Sequence, residues 1–128
     1  MWSDIHVRDL SNFYLLMAEA AAQGGGKADW GYNGYYFVEA GDGDFVWGDV
    51  SAALGKSLKQ KGVVQEAKPT NLSAEEVAKM HPYGPVLWGS NSRSRANRAK
   101  ALGWKPTHPK MFGSFEELVE LEMARQKA

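Results

Sequence analysis

The stretch "DIHVRDLSNFYLLMAEAA", residues 4–21, carries the clearest periodic signal in the chain. Its apolar residues recur at intervals of three and four, which places them on one side of a helix facing a core. These residues are Leu10, Phe13, Tyr14, Met17, Ala18 and Ala21. Asp9 is predicted to cap this helix or lie in its first turn, and the glycines at 24–26 are predicted to end it.

Four further helices are predicted from cap and stop signals, with limits near 49–62, 73–81, 91–103 and 114–127. The second of these starts at a capping box formed by Ser73 and Glu76. The third is basic and is capped by Asn91 or Ser92. The last starts at a second capping box that begins at Ser114. Helices therefore dominate the predicted fold.

One strand is predicted at Tyr35-Tyr36-Phe37-Val38, because this short apolar run resembles a strand buried on both faces. Residues 45–47 either pair back on it as a hairpin or lead directly into the next helix. The predicted fold class is therefore α+β, mostly helical with one or two short strands. A chain of 128 residues is predicted to form a single domain, residues 1–128.

The formal net charge is zero, but the charges are segregated along the chain. Residues 1–58 hold eight acidic and three basic residues, whereas no acid lies between Val77 and Phe115. The basic residues of that segment are Lys79, Arg93, Arg95, Arg98, Lys100, Lys105 and Lys110. This pattern predicts either a solvated basic face or a site for a small anion at the start of the basic helix. Nucleic acid is not predicted, because the acidic first half would repel a polyanion.

Several classes of site are not predicted. There is no cysteine, and His6, His81 and His108 are too far apart in sequence to suggest a metal site. The glycines at 24–26 follow a helix, which argues against a phosphate-binding loop. Charges near the N-terminus argue against a signal peptide, and no apolar run is long enough for a membrane span. A cytoplasmic protein without membrane contact is the expectation.

Three stretches together resemble extended short-chain dehydrogenase/reductases, including NAD-dependent epimerase/dehydratase and NmrA-like proteins. They are residues 4–21, "NGYYFVEAGDGDFVWGDVSAALGKSL" at 33–58 and "NSRSRANRAKALGWKP" at 91–106. The first is similar to the family's strand that ends in His-Val before an Asp and a helix. The last is similar to its late helix that closes on Leu-Gly-Trp-x-Pro. The order and spacing of the stretches also agree with the family.

The resemblance covers only the family's C-terminal, substrate-binding portion. It implies that the N-terminal dinucleotide-binding domain, its glycine-rich loop and the Tyr-x-x-x-Lys pair are absent from these residues. The family uses NAD or NADP, but no cofactor is predicted for this chain. A self-sufficient NAD(P)-dependent oxidoreductase is therefore not expected, and whether the chain is an enzyme is left open.

The resemblance implies a substrate-binding role for Ser92 and Arg93, and His6 and Tyr36 complete the predicted site. No catalytic residue is predicted. His6 and Asp9 match the family's motif and are expected to fix the strand-to-helix junction before the first helix. Arg98, Lys100 and Lys105 are expected to be solvated.

Three functions are consistent with this pattern. The first is a stand-alone lobe that binds a small molecule or a partner chain without hydride transfer. The second is a small non-redox enzyme of isomerase or cyclase type that uses His6, Asp9 or a tyrosine as acid or base. The third is a piece of a split or truncated oxidoreductase that needs a cofactor-binding partner.

Self-association is also predicted. A lobe without its neighbour would leave apolar faces uncovered around Phe13, Tyr36, Phe37 and Trp47, and unpaired strands tend to recruit a second copy. A homodimer or a complex with a cofactor-binding chain is therefore expected.

Overall fold

Helices account for 53% of the residues in the computed structural model, which describes residues 1–41, 43–109 and 111–126. These residues form no regular strand. Their only β-pairing consists of two isolated bridges, which join Trp2 to Phe45 in antiparallel and to Ser92 in parallel orientation. The mostly helical fold class is therefore confirmed.

Six α-helices and one turn of 3-10 helix follow one another along the described residues. They are α1 (Val7–Ala22), the 3-10 turn (Gly31–Asn33), α2 (Trp47–Gln60), α3 (Ala74–Met80), α4 (Gly84–Gly89), α5 (Asn97–Ala101) and α6 (Met111–Arg125). Helices α1, α2 and α3 lie where the sequence predicts them. Helix α4 was not predicted, because it is short and has Pro85 in its first turn.

Local capping explains how α1 and α3 begin. His6 is the N-cap of α1, and its Nδ1 accepts a hydrogen bond from the Arg8 amide at 3.2 Å. His6 thus lies at the start of the first helix as predicted, but residues 3–6 before it form no strand. Ser73 and Glu76 form the predicted capping box of α3, in which each side chain accepts a hydrogen bond from the other residue's backbone amide.

Two predicted helix starts were wrong. Helix α5 begins at Asn97, beyond the predicted caps Asn91 and Ser92, because the preceding amides are held by other partners. Helix α6 begins at Met111, whose amide donates to the Asp4 carboxylate at 3.2 Å. Ser114 therefore lies inside the helix and is not the cap of a box.

The strand predicted at 35–38 is also absent. Tyr35 and Phe37 are exposed while Tyr36 and Val38 are partly buried, so the segment buries one side chain in two. This alternation is that of an extended segment with a single covered face, and the apolar run alone could not reveal it. Residues 45–47 lead into α2, and only Phe45 forms a bridge.

The chain divides into two compact units. The first unit comprises Met1–Trp2, Phe45–Ser92 and Phe112–Ala128, and the second comprises Ser3–Asp44 and Arg93–Met111. The single domain predicted from chain length stays a prediction.

Each unit has its own buried residues. The core of the second unit consists of Phe13, Ala96, Ala99 and Trp104. Phe13 packs edge-on against Trp104, with ring centroids 6.2 Å apart. Trp104, which follows α5, folds back into this core. In the first unit the buried apolar residues are Phe45, Val50, Phe115 and Val119.

No helix among the described residues combines the length and apolar character that crossing a lipid bilayer requires.

Candidate functional site

The structure does not place the four predicted site residues in one cluster. Ser92 belongs to the first unit, and its amide donates to the Met1 carbonyl at 3.0 Å. Arg93, His6 and Tyr36 belong to the second unit. Arg93 is exposed and makes no hydrogen bond or ion pair with any described residue.

The helix N-terminus that was predicted at Ser92 and Arg93 to hold a small anion is not formed there, while anion binding itself stays a prediction. Helix α5 begins well after Ser92 and Arg93, because the amides of Ser92 and Ser94 pair with the Met1 carbonyl and with Ser3 Oγ. Neither residue therefore lies at a helix N-terminus, and a helix of five residues has little dipole to offer an anion.

The basic residues of this segment pair instead with acids from the first half of the chain. The Arg95 guanidinium donates two hydrogen bonds to Asp44, at 3.1 and 3.3 Å, and holds the pKa of that carboxyl below its usual range. Lys100 lies 3.5 Å from Glu39. The charge asymmetry of the sequence is thus neutralised largely within the second unit.

Arg98 makes the most contacts of this group. Its guanidinium donates to the Asp29 carboxylate and to the carbonyls of Asn33 and Tyr35 at 2.6 to 2.7 Å. It also lies over the ring of Tyr36, 4.6 Å from the centroid. The prediction that Arg98 and Lys100 are merely solvated was therefore wrong, whereas Lys105 is exposed as predicted.

Tyr36 has structural contacts that account for its position. Its hydroxyl accepts a hydrogen bond from the Asp29 amide at 2.7 Å, and its ring packs against Phe13 with centroids 5.6 Å apart. Its predicted role in substrate binding stays a prediction.

Glu39 is a buried acid that the sequence analysis missed. Its carboxylate is 3% exposed and accepts hydrogen bonds from the Gly41 amide at 2.6 Å and the Ala96 amide at 3.0 Å. It thereby links the segment after Val38 to the start of α5. No local sequence signal identifies it, because its partner at Ala96 is 57 residues away.

Asp9 forms the most densely hydrogen-bonded cluster of the second unit. This carboxylate is 1% exposed and accepts hydrogen bonds from the amides of Thr107 and His108, both at 3.0 Å, and from the Thr107 hydroxyl at 3.1 Å. His108 Nδ1 lies 2.8 Å from the same carboxylate. Burial alone would raise the pKa of Asp9, but these hydrogen bonds outweigh it and lower the pKa to about 2.

The ring of His108 stacks on that of His6, with centroids 4.7 Å apart and planes at 10°. Because an ionised Asp9 can only accept, His108 Nδ1 must donate to it, and a neutral His108 then carries its lone pair on Nε2. His6 has the opposite tautomer when neutral, since its Nδ1 accepts from Arg8. This arrangement can accept a proton at His108 Nε2.

The first unit contains a cavity of about 510 Å³ in which two tryptophan side chains take part. We call it the tryptophan cavity. Its lining comprises Trp47, Gly48, Ser51, Pro69, Thr70, Asn71, Leu72, Ala74, Val77, Gly84, Pro85, Trp88 and Gly89. A mainly apolar, aromatic lining with a few hydroxyl and amide groups is typical of sites for small organic molecules.

A second cavity of the first unit, about 520 Å³ in volume, has a different chemistry. It lies beside α2 and α6, and its lining comprises Leu54, Leu58, Val63, Leu118, Val119, Glu122, Met123 and Gln126. Its described lining has no aromatic side chain and few polar groups to orient a ligand. Among the described residues, no cluster of three or more His, Asp or Glu side chains is arranged to hold a metal ion.

Comparison with known proteins gives one informative relative. No family model matches the chain, and no solved structure matches it. The protein named Oxidase ucsJ, from Acremonium sp., is 31% identical over 129 aligned positions that include 94% of this chain. The chain spans 36% of that relative's length.

Proposed function

We propose that the chain is a substrate-binding lobe related to NAD-dependent epimerase/dehydratase proteins. It binds a small organic molecule in the tryptophan cavity and does not itself transfer hydride. The observation that carries this proposal is the cavity, whose volume of about 510 Å³ lies within the usual range for small-molecule sites.

The cavity also favours a class of ligand. The indole rings of Trp47 and Trp88 offer flat apolar surfaces for a ring system, while Ser51, Thr70 and Asn71 can hydrogen bond to its substituents. The described residues of the lining include no Lys, Arg, Asp or Glu. The proposed ligand is therefore an uncharged aromatic or conjugated compound with hydroxyl or carbonyl groups.

The oxidase-named relative supports a setting in oxidation chemistry. Its similarity extends over nearly all of this chain but only about a third of its own length. The third function considered above, a portion of an oxidoreductase that acts with a cofactor-binding partner, gains support from this relationship. NAD or NADP would then be held by the partner, because the glycine-rich loop that binds the dinucleotide in that family is not found among these residues.

The test is calorimetric titration with 1-naphthol as an aromatic probe and, separately, with NADH and NADPH. We expect 1-naphthol to bind to the chain and to bind at least about tenfold more weakly to Trp88→Ala, because a stacking surface is lost. Trp30→Ala is the control, since this exposed tryptophan lies in the second unit.

Each titration can contradict one part of the proposal. Equal affinity of the Trp88→Ala and Trp30→Ala variants, or no binding of 1-naphthol at all, would exclude the tryptophan cavity as the site. Micromolar binding of NADH or NADPH would show that the chain has an assembled nucleotide site. It would contradict the part of the proposal that says the chain does not itself transfer hydride.

A second candidate function is proton transfer at Asp9 and His108, as in the isomerase or cyclase type of enzyme. The observation favouring it is the 2.8 Å contact that orients His108 through a buried carboxylate. This second function predicts that the chain catalyses the exchange of the acidic C–H protons of a cyclic diketone in D₂O. His108→Gln should abolish this catalysis. His81→Gln is the matched control, and equal exchange rates in the two variants would eliminate this candidate.

A further inference from the structure

An exposed aromatic segment in the second unit has chemistry that the proposed ligand site does not use. We define the aromatic segment as residues 30–38, "WGYNGYYFV". Four of its large aromatic side chains are exposed, namely Trp30, Tyr32, Tyr35 and Phe37. So many exposed aromatic groups within nine residues are characteristic of a surface that another molecule covers.

The segment is held in place. Arg98 donates hydrogen bonds to the carbonyls of Asn33 and Tyr35 and lies over the Tyr36 ring. Beyond the segment, the Ala40 amide donates to the Asp4 carbonyl at 2.8 Å. The exposed side chains are thus presented by an anchored backbone, which reduces the entropy lost on binding.

The backbone of the segment is available for pairing. The amides and carbonyls of Tyr36, Phe37 and Val38 make no hydrogen bond with any described residue. The alternating burial of residues 35–38 is that of a strand, and their side chains have high β-propensity. An anchored extended segment whose backbone groups are unpaired can pair with a strand of another chain.

The lack of charge in the aromatic segment is compatible with a second copy of the chain as the occupant. The aromatic segment contains no ionisable acid or base at neutral pH, so two copies can approach each other without like-charge repulsion. Antiparallel pairing of a strand with itself around a two-fold axis is also self-complementary. We propose that a second copy of this chain pairs with the aromatic segment, forming a homodimer with Phe37 near the two-fold axis.

The experiment measures the dimer dissociation constant of the full chain by sedimentation equilibrium. Protein concentrations should reach about 200 µM, above the micromolar constant expected for a small interface. Phe37→Lys places one positive charge from each copy near the axis and should weaken the dimer at least about tenfold. Phe37→Glu should act in the same way.

Charge exchange tests the geometry directly. Mixing the Phe37→Lys and Phe37→Glu variants should restore association, because opposite charges then meet across the axis. Tyr14→Lys is the control: Tyr14 is 67% exposed on α1 of the same unit, against 68% for Phe37. Tyr14→Lys should leave the dimer dissociation constant unchanged. Circular dichroism establishes folding, and Tyr35→Lys replaces Phe37→Lys if that variant does not fold.

Three results would overturn the proposal. They are a monomer at every concentration, a dimer that Phe37→Lys does not weaken, and a mixture of the two charged variants that stays monomeric. If the aromatic segment pairs only with a separate cofactor-binding chain, this chain alone would be a monomer at every concentration. None of these outcomes depends on ligand binding in the tryptophan cavity, so the proposed function is tested independently.

Discussion

The carboxylate of Asp9, in the first turn of α1, is held 2.8 Å from Nδ1 of His108, although the two residues are 99 positions apart in the sequence. Asp9 also accepts hydrogen bonds from both backbone amides at 107 and 108. This one buried charge therefore fixes the loop after Trp104 to the start of the first helix.

The Asp9 cluster predicts acid sensitivity. The pKa of Asp9 is lowered from 3.8 to about 2 in the folded chain. The contribution of Asp9 to the free energy of unfolding is therefore present above pH 4 and is lost as the pH falls from about 4 to 2. The loss in the free energy of unfolding should be about 2 kcal/mol. Urea denaturation across this pH range measures it. In Asp9→Asn this part of the pH dependence should vanish, and its persistence would contradict the assignment.

Arg98 should resist conservative replacement. Lysine cannot present several planar N–H groups at once, so Arg98→Lys is expected to lower the free energy of unfolding by about 1–2 kcal/mol. Chemical denaturation gives the value. Arg93→Lys makes the same change at an exposed arginine that forms no hydrogen bond with a described residue, and it should change the free energy of unfolding by less than about 0.5 kcal/mol. Similar losses in both variants would mean that the hydrogen bonds of Arg98 contribute little.

Two tryptophans provide a comparison of hydrogen bonding. The indole Nε1 of Trp104 donates to the Asp9 carbonyl at 3.0 Å, whereas that of Trp2 is buried without any partner among the described residues. Trp104→Phe should therefore cost about 1 kcal/mol more than Trp2→Phe, since it removes a buried hydrogen bond whereas Trp2→Phe removes none. Thermal unfolding of both variants tests this difference. Equal destabilisation by the two substitutions would indicate that packing, and not the hydrogen bond of Trp104, determines the cost.

Capping should be measurable at α3. Ser73→Ala removes the side-chain acceptor for the Glu76 amide and is expected to destabilise the chain by about 1 kcal/mol. Denaturation midpoints give the result, with Ser57→Ala inside α2 as a comparison that removes no cap. If Ser73→Ala lowers stability no more than Ser57→Ala, the cap at the start of α3 contributes little to the stability of the chain.

The sequence could predict elements whose determinants are local. The capping box at Ser73 and the helical period of α1 are complete within a few residues, so both were predicted correctly. Helix α5 was predicted too long because Ser92 and Ser94 are held by Met1 and Ser3, about 90 residues away. No local pattern contains that information.

The same reasoning applies to the sites. His6 was identified as a junction residue through the family resemblance, but the contact of His108 with Asp9 depends on the tertiary fold. The tryptophan cavity was missed because it brings together residues from 47 to 89, including the unpredicted helix α4. Charge counting indicated a basic face, whereas the structure shows that Asp29, Glu39 and Asp44 neutralise much of it.

The chain order of the two units has a consequence for synthesis on the ribosome. Residues 3–44 emerge first, but Asp9, Asp29 and Glu39 acquire their partners only when residues 96–108 follow. The intervening segment 45–92 can begin to form helices earlier. Residues 3–44 therefore remain without these partners, and with Phe13 uncovered, while some fifty further residues are translated. During this interval a nascent chain would need a chaperone.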